Sequence, residues 1–245
     1  MNTVCNGDLR ERIKSLNPDL LSREIKKWDG ISFSKLQPFL LEHYWHGNAS
    51  INIFRIVGTE HPDYAGLSWI EFLEKGKRMN INLDLYKDNP VYYYETRKKE
   101  PSMYFRSIDG GDLYIGEDGN HRTCIAKAAF YLEGSSVLHG AILNDYRVNW
   151  EMKRIYDELV ETLRKGGIPW RIEVNSERIS REDSGEWMRE FFRTFLVVSD
   201  LKNGVVLNLD LEGSRSLLEN ILRREKTWRF WKSPFRIKTL SAFSS

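Results

Sequence analysis

Five consecutive residues, Asp118-Gly119-Asn120-His121-Arg122, place a carboxylate, a flexible turn, an amide, an imidazole and a guanidinium side by side. Gly116-Glu117 precede them. Ile125, Ala128, Ala129 and Leu132 follow at helical spacing, and Gly134 closes the pattern. The expected order is strand, Gly-rich turn, helix. The first N–H groups of a helix have no partner inside it and, with the helix dipole, favour an anion. Gly116 and Gly119 let a phosphate approach the backbone closely. His121 and Arg122 add donors at the same end, arginine with a two-pronged grip, and Thr123 can help to cap. The expected chemistry is phosphate binding or transfer, with Gly116, Gly119, Asn120, His121, Arg122 and Thr123 as the holding residues. Asp118 has two readings, a hard-oxygen ligand for Mg2+ or an Asx turn that shapes the loop. A solvated helix start would use the same residue types, and spacing alone leaves that reading open.

The elements that must position this loop are legible in outline. Asn17-Pro18-Asp19 reads as a turn into a helix over Leu20–Trp28, stopped by Gly30. A second helix is expected over Ser34–Tyr44. The β-branched and aromatic run Ile51–Val57, closed by Gly58, reads as a strand. A polar loop follows at Thr59–Tyr64, then a helix over Ser68–Lys77 capped by Ser68. Val91–Glu95 reads as a strand. Ser102–Ile108 and Asp112–Ile115 flank Asp109-Gly110-Gly111 as a hairpin. Beyond the central helix the spacing predicts a strand over Val137–Val148, a helix over Glu151–Lys165 and a short strand at Arg171–Val174. It then predicts a helix over Gly185–Phe195, a hairpin around Lys202-Asn203-Gly204, and a last helix over Leu217–Arg224. The fold class expected is α+β. An N-terminal helical segment spans 1–48, a central mixed sheet with helices 49–150, and a C-terminal α/β extension 151–245.

Composition narrows the function classes. With 41% apolar and 29% charged residues the chain reads as globular, and its formal charge of +2 is too small to mark the whole chain as a nucleic-acid binder. Cys5 and Cys124 are isolated, which argues against a zinc cluster and for cytosolic thiols. No apolar run reaches membrane-span length, and the N-terminus lacks a signal-peptide core, so a cytoplasmic protein is expected. His43 and His46 read as packing residues. Arg97-Lys98-Lys99 reads as a solvated loop.

The segment Asp118–Phe130 resembles the signature of the ParB/sulfiredoxin superfamily, a strand followed by Asp-Gly-(Asn/His)-His-Arg and an Ala-rich helix. The similarity extends over about 50–150 through the order of the strand, helix and hairpin before it. That superfamily includes partition proteins that bind CTP, sulfiredoxins that use ATP, free-serine kinases, plasmid nucleases and plasmid fertility-inhibition proteins. The resemblance implies that Gly119, His121 and Arg122 hold the phosphates of a nucleotide (ATP, ADP or CTP). It further implies that the loop after the first strand approaches them, with Glu60 as general base and His61 as a phosphate contact. Asn120 stands where sulfiredoxins carry a reactive cysteine, which disfavours sulfinic-acid repair. The interrupting strands after 150 disfavour a helix-turn-helix reader.

The C-terminus adds a separate signal. Lys226, Arg229, Lys232, Arg236 and Lys238 alternate with Trp228, Phe230, Trp231 and Phe235, with no acid after Glu225. Charge that tracks a backbone and rings that stack on bases suit DNA, single strands above all. Aromatics docking the tail onto the body is the other reading. Three functions stand as expectations. The first is a ParB-like DNase or nucleotide-dependent phosphohydrolase of a plasmid or mobile element. The second is a nucleotide-dependent kinase of a free amino acid. The third is a non-catalytic nucleotide- or protein-binding module that blocks a partner such as a conjugation component.

Overall fold

The computed structural model describes residues 8–228, with the side chains described as far as 223. In chain order the elements are α1 (Leu9–Leu16), α2 (Asp19–Ser22), β1 (Lys26–Lys27), α3 (Gly30–Leu36), β2 (Leu40–Asn52) and β3 (Ile56–Thr59). Next come α4 (Trp69–Lys75), α5 (Met79–Asp88), β4 (Tyr104–Ile108), β5 (Leu113–Ile115), α6 (Asn120–Glu133) and β6 (Val137–Val148). The chain continues with α7 (Trp150–Gly166), β7 (Trp170–Asp183), β8 (Trp187–Asp200), β9 (Val206–Leu209) and α8 (Leu211–Trp228). Eight α-helices and nine strands of a mixed sheet among the described residues make the protein α+β.

Two compact units divide the described chain. The first comprises 8–150 with 176–194. Its strand order runs β1-β3-β5-β4-β6-β2, then β8 and β7. β3 pairs parallel with β5, β5 antiparallel with β4, and β4 parallel with β6. Helices α1, α4, α5 and α6 pack on one another, and Ile13, Phe72, Leu73, Met103, Phe105, Ile125 and Phe130 form a continuous core with them. Successive side chains of a strand face opposite ways. Arg106, Tyr114 and Tyr146 therefore face away from that core, where Trp28 and Phe33 cover them. The second unit comprises 151–175 with 195–228. It holds α7, β9, α8 and the inner parts of β7 and β8. Met152, Ile155, Leu159 and Leu163 recur along α7 as its buried stripe.

Several expected elements form for the expected reasons. Ser68 and Glu71 make a reciprocal capping box at α4, with Glu71 N to Ser68 Oγ at 3.1 Å and Ser68 N to the Glu71 carboxylate at 2.9 Å. Asp109 and Gly110 take positive φ, and β4 and β5 pair across them. Gly134 ends α6 in the left-handed conformation. The Asn203-Gly204 turn joins β8 to β9.

Five expectations are corrected. The helix expected over Leu20–Trp28 is a single turn, α2, followed by β1; Lys26 and Lys27 pair with Gly58 and Thr59 of β3 instead. Gly30 does not stop a helix but begins α3, where Asp29 accepts the Ser32 N–H at 2.9 Å. The helix expected through Tyr44 ends at Leu36, because from Leu40 onward the chain lies between β6 and β8 as a strand. Val91–Glu95 is no strand: Pro90 sits at the first position of a 3-10 turn over Pro90–Tyr93. Likewise the helix expected over Gly185–Phe195 is the strand β8.

Candidate functional site

β3 and β5 run parallel with Thr59 opposite Ile115, so the loops after both strands leave the same sheet end side by side. In open sheets that end is where ligands bind. The Glu60 N–H bonds Ile115 O at 2.9 Å and extends the pairing by one residue. The Thr59 hydroxyl then donates to Asn120 Oδ1 at 2.6 Å, tying the first loop to the first residue of α6.

The turn into α6 depends on Gly119. Its φ is 111°, and a Cβ there would sit 3.3 Å from the Met103 side chain. Gly119→Ala is expected to cost about 1–3 kcal/mol, read as a lower urea midpoint; an unchanged midpoint would show that the turn relaxes. Gly116 is buried, with its N–H on Tyr104 O at 2.9 Å. A Cβ on it would lie 3.3 Å from Arg106 Nη2, so the glycine admits the Arg106 guanidinium against the loop.

Arg106 also ion-pairs with Glu60, both side chains only partly exposed. Burial raises the Glu60 pKa above the usual carboxylate range. Arg106 opposes the shift, and Glu117 adds to it. The expected approach of the Glu60 loop to the Asp118–Arg122 loop is present, but the partner of Glu60 is Arg106, which carries no motif signal in the sequence. Only the β3-β5-β4 adjacency brings the two together.

The residues of the motif itself fall into different surroundings. Asn120 is buried on the Thr59 hydroxyl. Thr123 is buried, and its hydroxyl has no partner among the described residues. The His121 imidazole meets Lys77 O through Nε2 at 2.5 Å, which leaves Nδ1 as the free nitrogen. Its ring packs near Tyr64 and Phe72, and Tyr64 stacks on His61 at 4.3 Å. Burial lowers the His121 pKa, partly opposed by the Lys77 carbonyl, so the ring is neutral at neutral pH.

Arg122 does not present an open fork. Its guanidinium, only 13% exposed, bonds Tyr92 OH at 2.8 Å, Ser102 O at 3.1 Å, the Pro101 carbonyl, and Asp118 Oδ2 at 2.7 Å. Asp118 accepts that contact with Oδ2 and the Gly119 N–H at 2.6 Å with Oδ1, so both of its oxygens are engaged within the loop. Of the two arginines at the turn, Arg122 is held by protein acceptors and Arg106 lies against Gly116.

No group of three or more His, Cys, Asp or Glu placed to hold a metal occurs among the described residues. Among the same residues, no helix is long and apolar enough to cross a membrane. Cys124 is buried with its thiol on Trp69 O at 3.3 Å. The side chains of Lys226 and Trp228, and all of Arg229, Trp231, Lys232, Arg236 and Lys238, lie outside the described residues. No protein-family model, curated protein or solved structure matches this chain.

Proposed function

We propose that this protein is a phosphohydrolase of ParB/sulfiredoxin type that acts on the phosphates of a nucleotide or of DNA. The observation that carries the reading is the partly buried Glu60–Arg106 pair lying against the Gly116 turn into α6. A guanidinium and the helix amides suit a phosphate, and a carboxylate of raised pKa suits proton transfer beside it. In the hydrolytic step Glu60 takes a proton from water, the water oxygen bonds to phosphorus, and the bond to the leaving oxygen breaks. Asp118, 60% exposed but already bonded through both oxygens, supplies at most one ligand to Mg2+. Such an ion would keep water and phosphate oxygens as its other ligands. The mobile-element setting, the DNA-contacting tail and a conjugation-machinery partner follow from the sequence resemblance and the basic, aromatic C-terminus.

The test is incubation of the purified chain with Mg2+ and plasmid DNA, ATP, ADP or CTP, with strand cleavage and phosphate release as readouts. Glu60→Gln is expected to lower the rate about 100-fold or more. Glu60 must be ionised to act as base, and burial raises its pKa. The rate should therefore rise with pH through a limb lying above the ordinary glutamate range. A Glu60→Gln protein with full activity and the same pH limb would remove Glu60 as base. The second reading, a non-catalytic binding module, is favoured by the mutual engagement of Asp118 and Arg122. It predicts nucleotide binding with no product.

A further inference from the structure

A cavity of about 360 Å³ lies in the first compact unit, a volume usual for a small-molecule site. It opens beside the Asp109-Gly110 hairpin, where β5 begins, whereas Glu60 and Gly116 follow the far ends of β3 and β5. The two sites therefore sit at opposite ends of the sheet. Strand register gives the cavity its floor. Ser107 pairs with Asp145, Asp145 with Tyr44, and Tyr44 with Arg189, while Arg147 pairs with Glu42 one step along. Residues directly opposite one another share a face, and so do residues two apart on one strand. These side chains therefore stand together on the face that carries the core residue Phe105. Arg55, from the turn before β3, closes the hairpin side.

Charge is unevenly placed in it. At the hairpin, Arg55 Nη2 donates to Gly110 O and, at 2.6 Å, to Gly111 O, and its Nη1 has no partner among the described residues. Arg147 approaches Asp145 Oδ2 only through Nε at 3.5 Å, so both of its Nη groups stay open among the same residues. Asp145 Oδ1 is engaged by the Ser107 hydroxyl at 2.5 Å and the Gly110 N–H at 2.9 Å, which holds the turn. Asn52 adds a neutral donor, since its Oδ1 already accepts the Phe54 N–H at 2.9 Å. The Ser50 hydroxyl is engaged with His139 Nδ1 at 2.7 Å. This end is positive. At the β8 end the Arg189 guanidinium lies over the Tyr44 ring at 5.3 Å with Nε 3.4 Å from Glu42 Oε1, so a cation and a carboxylate stand side by side. Three guanidiniums against two carboxylates leave the lining with one excess positive charge. Arg147 and Arg189 flank β2, two strand spacings or about 10 Å apart across the sheet, with Tyr44 and Leu143 in the floor.

We propose that this cavity binds an acidic α-amino acid with a short side chain, of the aspartate or glutamate kind. The side-chain carboxylate lies between Arg55 and Arg147, where guanidinium forks match its two oxygens. The α-carboxylate meets Arg189 and the ammonium meets Glu42, the mixed pair that a zwitterionic end requires. The methylenes cross the Tyr44 ring and Leu143. A singly negative ligand complements the single excess positive charge of the lining. A plain diacid would leave Glu42 facing an anion, and a neutral amino acid would leave the hairpin end unpaired. The assignment does not rest on the phosphohydrolase reading, because the two sites share no residue.

The experiment is calorimetric titration of the full chain with L-glutamate and L-aspartate, their amides L-glutamine and L-asparagine, the diacids glutarate and succinate, and inorganic phosphate. One of the acidic amino acids is expected to bind. Its amide and its diacid should each bind at least about tenfold more weakly, the factor that one lost charged hydrogen bond gives. Arg147→Met should weaken the amino acid at least about tenfold. If that variant misfolds, Glu42→Gln provides the decision, because it should erase the preference for the amino acid over the diacid. Glu60→Gln should bind the amino acid as wild type does, which separates this site from the turn into α6. Failure of both acidic amino acids to bind overturns the proposal, and so does equal binding of the amide or the diacid. Full affinity in Arg147→Met also overturns it. Phosphate that displaces the amino acid at equal concentration shows a general anion patch and overturns it as well. Selective amino-acid binding by a chain that releases no phosphate from ATP supports the site and removes the hydrolase reading alone.

Discussion

Arg122→Ala is expected to lower the unfolding free energy by about 2–4 kcal/mol, seen as a lower urea midpoint. The guanidinium joins the first turn of α6 to Tyr92 and to the carbonyls of Pro101 and Ser102. Truncation leaves the part-buried Tyr92 hydroxyl and the Ser102 carbonyl without this donor, and unmade bonds at such groups cost more than made ones contribute. Arg122→Lys should recover only part of the loss, because one ammonium cannot reach acceptors arranged around a planar fork. This differs from the sequence-level expectation, in which the Arg122 guanidinium grips phosphate. The two are separable. Undiminished stability together with lost phosphate binding would restore Arg122 as the anion ligand. Lost stability would leave that role to Arg106 and the α6 amides.

The reason for the difference is visible in where sequence carries information. The turn into α6 was legible because it is local: Gly116 and Gly119 permit the bend, the Ala-rich spacing declares the helix, and Gly134 stops it. The same holds for the Asp109-Gly110 hairpin and the Ser68 capping box. Partners distant in sequence were not legible. Arg106 meets Glu60 through two strand neighbours, and Arg122 meets Tyr92 across 30 residues. β2 was misread because register shifts at Leu40/Glu42, His46/Ala49 and Ala49/Ile51 break the alternation that marks a strand. The tyrosine-rich run at 91–94 has strand propensity, yet α5 and Phe130 recruit its rings into a 3-10 turn. In each case tertiary neighbours outweighed local preference.

Lys127→Met is expected to stabilise the protein by about 3 kcal/mol at pH 6. Within an Ala-rich helix Lys127 reads as an ordinary surface position, since lysine is rarely buried fully. It is instead 1% exposed, with its ammonium over the Trp69 ring at 4.6 Å and the Phe54 ring at 5.6 Å. The titratable groups acting on it are Cys124 and Arg23, neither a carboxylate. Burial lowers its pKa from 10.5 to about 7. Below pH 7 the side chain is charged in both folded and unfolded chains, and burying that charge costs about 5 kcal/mol. Cation–π contacts return about 2 kcal/mol of it, so the net penalty stays unfavourable. Between pH 7 and 10.5 the unfolded chain binds the proton that the folded chain has released, so wild-type stability rises with pH across that window. The methionine variant lacks this slope, so its advantage should fall steadily as pH rises across that window. Urea midpoints of both proteins at pH 6, 8 and 10, spanning that window, decide the matter. A destabilised Lys127→Met protein, or an advantage that does not change with pH, would mean that the buried ammonium is matched by a counter-charge and is held in place as a structural cation.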